Sequence, residues 1–285
     1  MKKMMTVVLA LCTLAAPMFA QTASSNHHAL SWIVAYSTIE QMQAQPGGPE
    51  VVKKLLADPH TIIVAANPVS GVDEAQRAVS VLSSDDCTAA LDKSSNAKLT
   101  KLFVDLENWP GTPPSDQKTP QEVTRKCHEH AHDKNRDFVV IAVPAMDLMS
   151  RLDPDFKGTQ YQAAIHYDLE GKLATVSDGM EVQLENIEDK PDEFVRTLQT
   201  MVHQIREARI KAHQNPDIPI YVGLSTAVVN KPIRADVLVN LLKEDVNRTR
   251  GMVTGYWMAN PSKKLCPGCD SNPEVAVKLL QSVDE

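Results

Sequence analysis

Short apolar runs alternate with longer amphipathic stretches along most of the chain. Seven short runs read as strands: 32–37 (WIVAYS), 61–66 (TIIVAA), 102–107 (LFVDLE), 138–143 (FVVIAV), 180–185 (MEVQLE), 220–225 (IYVGLS) and 255–258 (GYWM). Most are rich in Val, Ile and aromatics and stop at a polar residue, Gly or Pro. The first is the least defined, because 29–44 also fits a single helix. Apolar residues at helical spacing predict helices over 49–56, 72–82, 119–133, 191–213, 235–246 and 273–283. In 72–82 the repeating positions are Ala75, Ala78, Val79 and Leu82. Thr119, Pro120 and Glu122 carry the start signal of a capping box.

Strands that alternate with helices of this length imply crossover connections and a parallel sheet. The expected fold is α/β, a (β/α)8 TIM-type barrel. Seven strands are legible, and the eighth either lies within 159–170 or is missing. The alternative is a doubly wound open parallel sheet, but no Gly-rich nucleotide loop follows an early strand. Residues 109–117 (WPGTPPSDQ) read as a loop inside one β-α unit.

The N-terminus changes the length that counts. Lys2 and Lys3 precede an apolar run from Val7 to Ala16, and Ala20 offers a small residue for cleavage. Residues 1–20 therefore read as a secretory signal peptide. Residues 21–30 form a loose lead, and 31–285 form one barrel domain of a size usual for that fold. The chain has 285 residues and a formal charge of −7. Loss of the leader removes two lysines and no acid, so the remainder is more acidic still. An acidic chain lacks the basic field that nucleic acid requires. The expected location is periplasmic or secreted, with no membrane insertion after cleavage. Oligomeric state stays open.

Four cysteines lie beyond the leader: Cys87, Cys127, Cys266 and Cys269. An even count in an exported protein favours disulfides, and four cysteines allow three pairings. The C-x-x-C at 266–269 reads as a small disulfide pinning a loop beside Trp257. Cys87 would then pair with Cys127 around the 102–107 strand.

The chemistry concentrates at strand ends. In LFVDLE, alternation places Phe103, Asp105 and Glu107 on one face and Val104 and Leu106 on the other. The outer face of a barrel strand packs on helices and must be apolar. Asp105 and Glu107 therefore point inward, with Glu107 at the C-terminal mouth where barrel active sites are built. Stacked carboxylates repel, so one pKa rises, as an acid catalyst at neutral pH requires. The structural alternative is Asp105 bonded to backbone or paired with a Lys or Arg. MEVQLE places Glu181, Gln183 and Glu185 on one face, which brings Gln183 and Glu185 towards Glu107; otherwise Glu185 is a salt-bridged rim residue. Trp257 and Asn260 end the last strand, and Trp257 reads as a sugar platform or as packing. Asp147, beside Arg151, lines the rim or forms an exposed pair. Tyr221, Gly223 and Ser225 share a face of their strand.

His128-Glu129-His130-Ala131-His132 satisfies H-E-x-x-H. Two His four apart on a helix share a face and can bind zinc, so a zinc hydrolase on His128 and His132 and an adventitious surface metal contact are the metal readings; polar flanks place the motif on an outer helix, away from the mouth. No metal ligand and no cofactor is assigned.

The set VDLENWPGTP, VQLEN, YVGLST and GYWMANPS…CPGC resembles an uncharacterised family of secreted bacterial and fungal proteins, itself similar to (β/α)-barrel glycoside-hydrolase-like proteins. The resemblance covers roughly residues 60–283. It implies a barrel, export, and a mouth built from Asp105, Glu107, Trp109, Gln183, Ser225, Trp257 and Asn260. More distantly, the acidic strand resembles the D-x-x-D-x-D-x-E run of chitinase-type barrels. Asp105 and Glu107 match its last two acids, while Phe103 departs from it. The expectation is an exported barrel acting on or binding a carbohydrate through carboxylates at its mouth. Glu107, Asp105 and Glu185 are the catalytic candidates. Trp109, Asp147, Gln183, Tyr221, Ser225, Trp257 and Asn260 contact the ligand. The alternative is a non-catalytic barrel that binds a small polar ligand or a cell-wall fragment.

Overall fold

The structure is a computed structural model. It describes residues 30–65, 74–93, 99–107, 111–133, 138–228, 231, 233–261 and 271–283. The leader, Trp109 and the Cys266–Cys269 loop lie outside the described residues.

Eight parallel strands close into a barrel in chain order. They are β1 (Ser31–Ala35), β2 (Ile62–Val64), β3 (Gln76–Val81), β4 (Leu99–Asp105), β5 (Val139–Val143), β6 (Gly179–Gln183), β7 (Ile220–Ser225) and β8 (Gly255–Ala259). β8 closes on β1 with Trp32 opposite Tyr256 and Ile33 opposite Trp257. The connections carry α1 (Tyr36–Gln43), α2 (Gly48–Ala57), α3 (Ser84–Lys93), α4 (Pro114–Lys118), α5 (Pro120–Asp133), α6 (Leu148–Leu152), α7 (Gln160–His166), α8 (Leu169–Ala174), α9 (Pro191–Lys211) and α10 (Ala235–Thr249), and α11 (Pro273–Val283) follows β8. This is a (β/α)8 barrel, and the open-sheet alternative is excluded by the β1–β8 pairing. No described helix is long and apolar enough to cross a membrane.

The eighth strand is β3, inside the predicted 72–82 helix. Its apolar positions satisfy a helical period by coincidence. Ala78 joins the barrel interior, whereas Val79 and Val81 face the helix layer on the opposite side. The 159–170 segment, where the missing strand was sought, holds α7 and the start of α8. The first strand ends at Ala35 and a helix begins at once, so both readings of 29–44 capture half of it. The predicted 109–117 loop contains the start of α4. The capping box before α5 is replaced by other bonds. The Thr119 hydroxyl donates to the Ser115 carbonyl at 3.1 Å, and Glu122 pairs with Lys126 at 2.9 Å.

Two apolar layers result from strand alternation. Ile33, Ile62, Val64, Ala78, Phe103, Ile141, Val143 and Tyr221 fill the barrel. Outward residues such as Leu102, Val104, Met180 and Val182 pack beneath the helices. Cys87 on α3 pairs with Cys127 on α5, Cα atoms 5.8 Å apart, and the bridge spans 40 residues of sequence. It lies in the apolar layer outside β4 and β5. Replacing both cysteines by Ala is expected to lower unfolding free energy by about 2–4 kcal/mol, read by urea denaturation.

Candidate active site at the C-terminal mouth

The mouth is assembled by strand periodicity and by the residues just past each strand end. β4 ends at Asp105, so Glu107 stands two residues beyond it on the same face. β6 ends at Gln183, and Glu185 likewise stands two residues past the strand. Outward Leu106 and Leu184 are buried in the helix layer. Their burial fixes the alternation and turns Glu107 and Glu185 inward. The two acidic strands are separated by β5 alone.

The interior contacts join them. The Gln183 amide donates to Glu107 Oε1 across the top of β5. Gly223 on β7 is opposite Gln183. A Cβ at Gly223 would run into the Glu185 carboxyl and would sit 2.8 Å from Glu181 Oε1. Its missing side chain is therefore the space that both carboxyls occupy. Glu181 is fully enclosed lower on β6, opposite Tyr221.

Burial and mutual repulsion set the charge state. Desolvation raises the Glu107 carboxyl well above the usual range, and the charges of Asp105 and Glu185 push it further. The Gln183 amide opposes that rise. Desolvation raises Glu185 to about 7, aided by Asp105. Glu181 is raised by burial and then by Glu185, Glu107 and Asp105. Asp105 is the neighbour common to all three. Such a group holds fewer charges than carboxyls at neutral pH, and its members titrate jointly.

The surrounding residues divide into those facing the carboxyls and those serving the rim. Tyr221 lies buried in the barrel, and burial raises its phenol to about 12. Tyr161, from α7, is buried, and after desolvation the Glu185 charge is the next cause raising its phenol. Asp147 pairs with Arg151 at 2.9 Å, and Arg151 also donates to Gln117 at 3.0 Å. Asp147 is close enough to contribute to the rise of Glu107. Trp257 lies in mid-strand, edge-on to Phe103 with ring centroids 4.9 Å apart, and keeps a partly exposed face. The Ser225 hydroxyl donates to the Ala227 carbonyl at 2.7 Å. Asn260 accepts from Thr226 at 2.6 Å and donates to Gln41 at 2.8 Å, which locks the rim between β7, β8 and α1.

Glu181, Tyr161 and Glu188 also lie within electrostatic reach of Glu185, beyond the residues assigned from sequence. Glu181 is signalled by the same period-two pattern as Glu185. Glu188 lies in the loop after β6, accepts from the Ser225 backbone N–H, and is raised first by burial and then by Glu185. Tyr161 arrives on a helix of the β5–β6 connection, with no local pattern to mark it.

The geometry matches one known architecture. It is that of a TIM barrel. A sugar phosphate isomerase/epimerase from Parabacteroides distasonis superposes with a TM-score of 0.51 at 9% identity, over 93% of this chain and 96% of that one. A Bacteroides uniformis β-glucuronidase aligns at TM-score 0.49 and 8% identity, over 86% of this chain and 32% of that one. A psychrophilic family 10 endo-β-1,4-xylanase aligns at TM-score 0.42 and 13% identity, over 80% and 85%. No protein-family profile matches the chain, and no curated protein matches it in sequence. At these identities the likeness describes the fold, and the chemistry of the site rests on its own residues.

Proposed function

We propose that the chain is an exported enzyme that hydrolyses a glycosidic bond at the C-terminal mouth of its barrel. The observation that carries this reading is the carboxyl group of four, Asp105, Glu107, Glu181 and Glu185, delivered to one interior by two strands. Glycoside hydrolysis requires one carboxyl that stays protonated near neutrality and a second that ionises beside it. Glu107 takes the first role and protonates the leaving oxygen, with Gln183 orienting it. Glu185 takes the second, as base or nucleophile. Asp105 keeps Glu107 protonated by repulsion, and the exposed face of Trp257 packs against the sugar. Trp109, Asp147, Tyr221, Ser225 and Asn260 complete ligand contact, the last two through the rim they brace. Export rests on the basic-apolar leader, and the disulfide outside β4 and β5 suits that compartment.

The test is release of reducing sugar from aryl glycosides and cell-wall polysaccharides by the purified chain. Saturable turnover of at least one substrate is expected, and its absence across the panel overturns the reading. A second reading, a non-catalytic barrel that binds a small polar ligand or cell-wall fragment, is favoured by the Trp257–Phe103 edge contact, which commits part of the indole to packing. That reading predicts saturable binding of a panel member without any turnover.

A further inference from the structure

We propose that His128, His132 and Asp178 bind a divalent zinc-type cation at the N-terminal end of the barrel, where it clamps α5 to the start of β6. The site is independent of the mouth. Asp178 immediately precedes β6, and α5 leads into β5, so both lie at the end of the barrel opposite Glu107.

Three features make it a built site. First, His128 and His132 are four residues apart on α5 and share a face, with ring centroids 4.3 Å apart. Second, both imidazoles aim at one carboxylate. His128 Nε2 is 3.0 Å from Asp178 Oδ1, and His132 Nε2 is 3.2 Å from Asp178 Oδ2. The donor atoms of all three residues lie within 4.8 Å of one another. Ligands on a tetrahedral zinc ion, with bonds of about 2.0–2.1 Å, stand about 3.3 Å apart. The two histidine–carboxylate distances are close to that spacing, and side-chain rotations that draw the remaining donors together from within 4.8 Å admit an ion.

Third, the carboxylate is anchored. The Val140 backbone N–H donates to Asp178 Oδ2 at 2.9 Å, which leaves Oδ1 to face the cation. The preceding turn is held by Arg209, whose guanidinium donates to the carbonyls of Ala174 and Ser177 at 2.6 and 3.0 Å. Outer partners of this kind orient ligands and raise affinity.

The donor set selects the ion class. Two imidazoles and one carboxylate suit zinc and neighbouring divalent transition ions over magnesium or calcium. His132 keeps 48% of its side chain exposed, so the ion enters from solvent and water completes its coordination. The role is structural. Glu129, the acid of the H-E-x-x-H pattern, is paired with Arg125 at 2.7 Å on an exposed surface instead of serving as a base at the ion. The cation bridges a helix to the strand junction at β5 and β6 and so resists separation of that helix from the barrel.

The test is calorimetric titration of zinc chloride into the full-length chain freed of any affinity tag, with thermal melting alongside. One zinc per chain is expected, and at 100-fold excess over Kd the melting temperature rises by roughly 5–10 °C. His128→Gln and His132→Gln are each expected to weaken binding at least tenfold while circular dichroism stays unchanged. Asp178→Asn keeps an acceptor for Val140 and is expected to weaken binding similarly. His203→Ala, on an exposed face of α9, is expected to bind as wild type. Absence of saturable binding overturns the site, as does binding that all three ligand variants retain. Binding without a rise in melting temperature overturns the clamp.

Discussion

The melting temperature of the chain is expected to fall as pH rises from about 5.5 to 8.5. Two buried acids outside the mouth carry this effect. Glu170 on α8 is fully enclosed, and desolvation raises its carboxyl to about 7. Asp245 on α10 is also enclosed, and desolvation followed by repulsion from Glu244 raises it to about 8, against the pull of Arg248. In the unfolded chain both ionise near pH 4. Between pH 4 and their native values the folded state therefore holds the extra protons. The stabilisation is complete below the unfolded pKa and is lost as pH rises through the folded one. Each group contributes a slope of about 1.4 kcal/mol per pH unit in that window. Glu181 and Glu188 are raised in the same direction and steepen it. A loss of at least 5 °C over the range is expected, from the usual scaling of melting temperature with free energy. The double variant Glu170→Gln, Asp245→Asn is expected to flatten the curve. A wild-type melting temperature that is constant or rises with pH would contradict the buried, protonated state of both groups.

Glu107→Gln is expected to lower kcat on the best glycoside substrate by roughly 10³-fold, within the range for loss of a positioned general acid. Glutamine preserves the shape and the Gln183 contact but cannot protonate a leaving oxygen. An aryl glycoside with a good leaving group should be spared much of the loss, because it departs without protonation. Glu185→Gln is expected to abolish turnover on both kinds of substrate. The pH profile comes from the same groups. Activity should rise as Glu185 ionises near 7 and fall at higher pH as Glu107 gives up its proton. Equal turnover by wild type and Glu107→Gln would remove Glu107 from the acid role.

Much of this was legible in the sequence because barrel strands impose a two-residue period. LFVDLE and MEVQLE could satisfy an apolar outer face only by turning Asp105, Glu107, Glu181 and Glu185 inward. Seven strands showed themselves through short apolar runs, most of them rich in Val, Ile and aromatics. β3 did not, because its six residues hold Arg77 and Ser80, and its Ala78 and Val79 fall in helical spacing with Ala75 and Leu82 on either side of the strand. The capping box before α5 failed for a related reason: α4 ends at the same threonine and claims its hydroxyl. Tyr161 and the Asp178 partner of the two histidines were hidden by distance. Asp178 lies about fifty residues from His128, and only closure of β5 against β6 brings them together. H-E-x-x-H was therefore legible as two histidines on one helix face able to hold a metal, but not as a set completed by Asp178.

The mouth carboxyls are expected to hold protons near neutral pH because they are buried together, with Asp105 the common source of repulsion. The most direct measurement is a carboxyl-carbon NMR titration of glutamate-labelled protein, wild type and Asp105→Asn. The wild-type Glu185 resonance is expected to titrate at about 7, those of Glu107 and Glu181 well above the usual glutamate range, and all three are expected to move downward in Asp105→Asn. Titration of every glutamate near 4–5, or mouth resonances unmoved by Asp105→Asn, would contradict the claim.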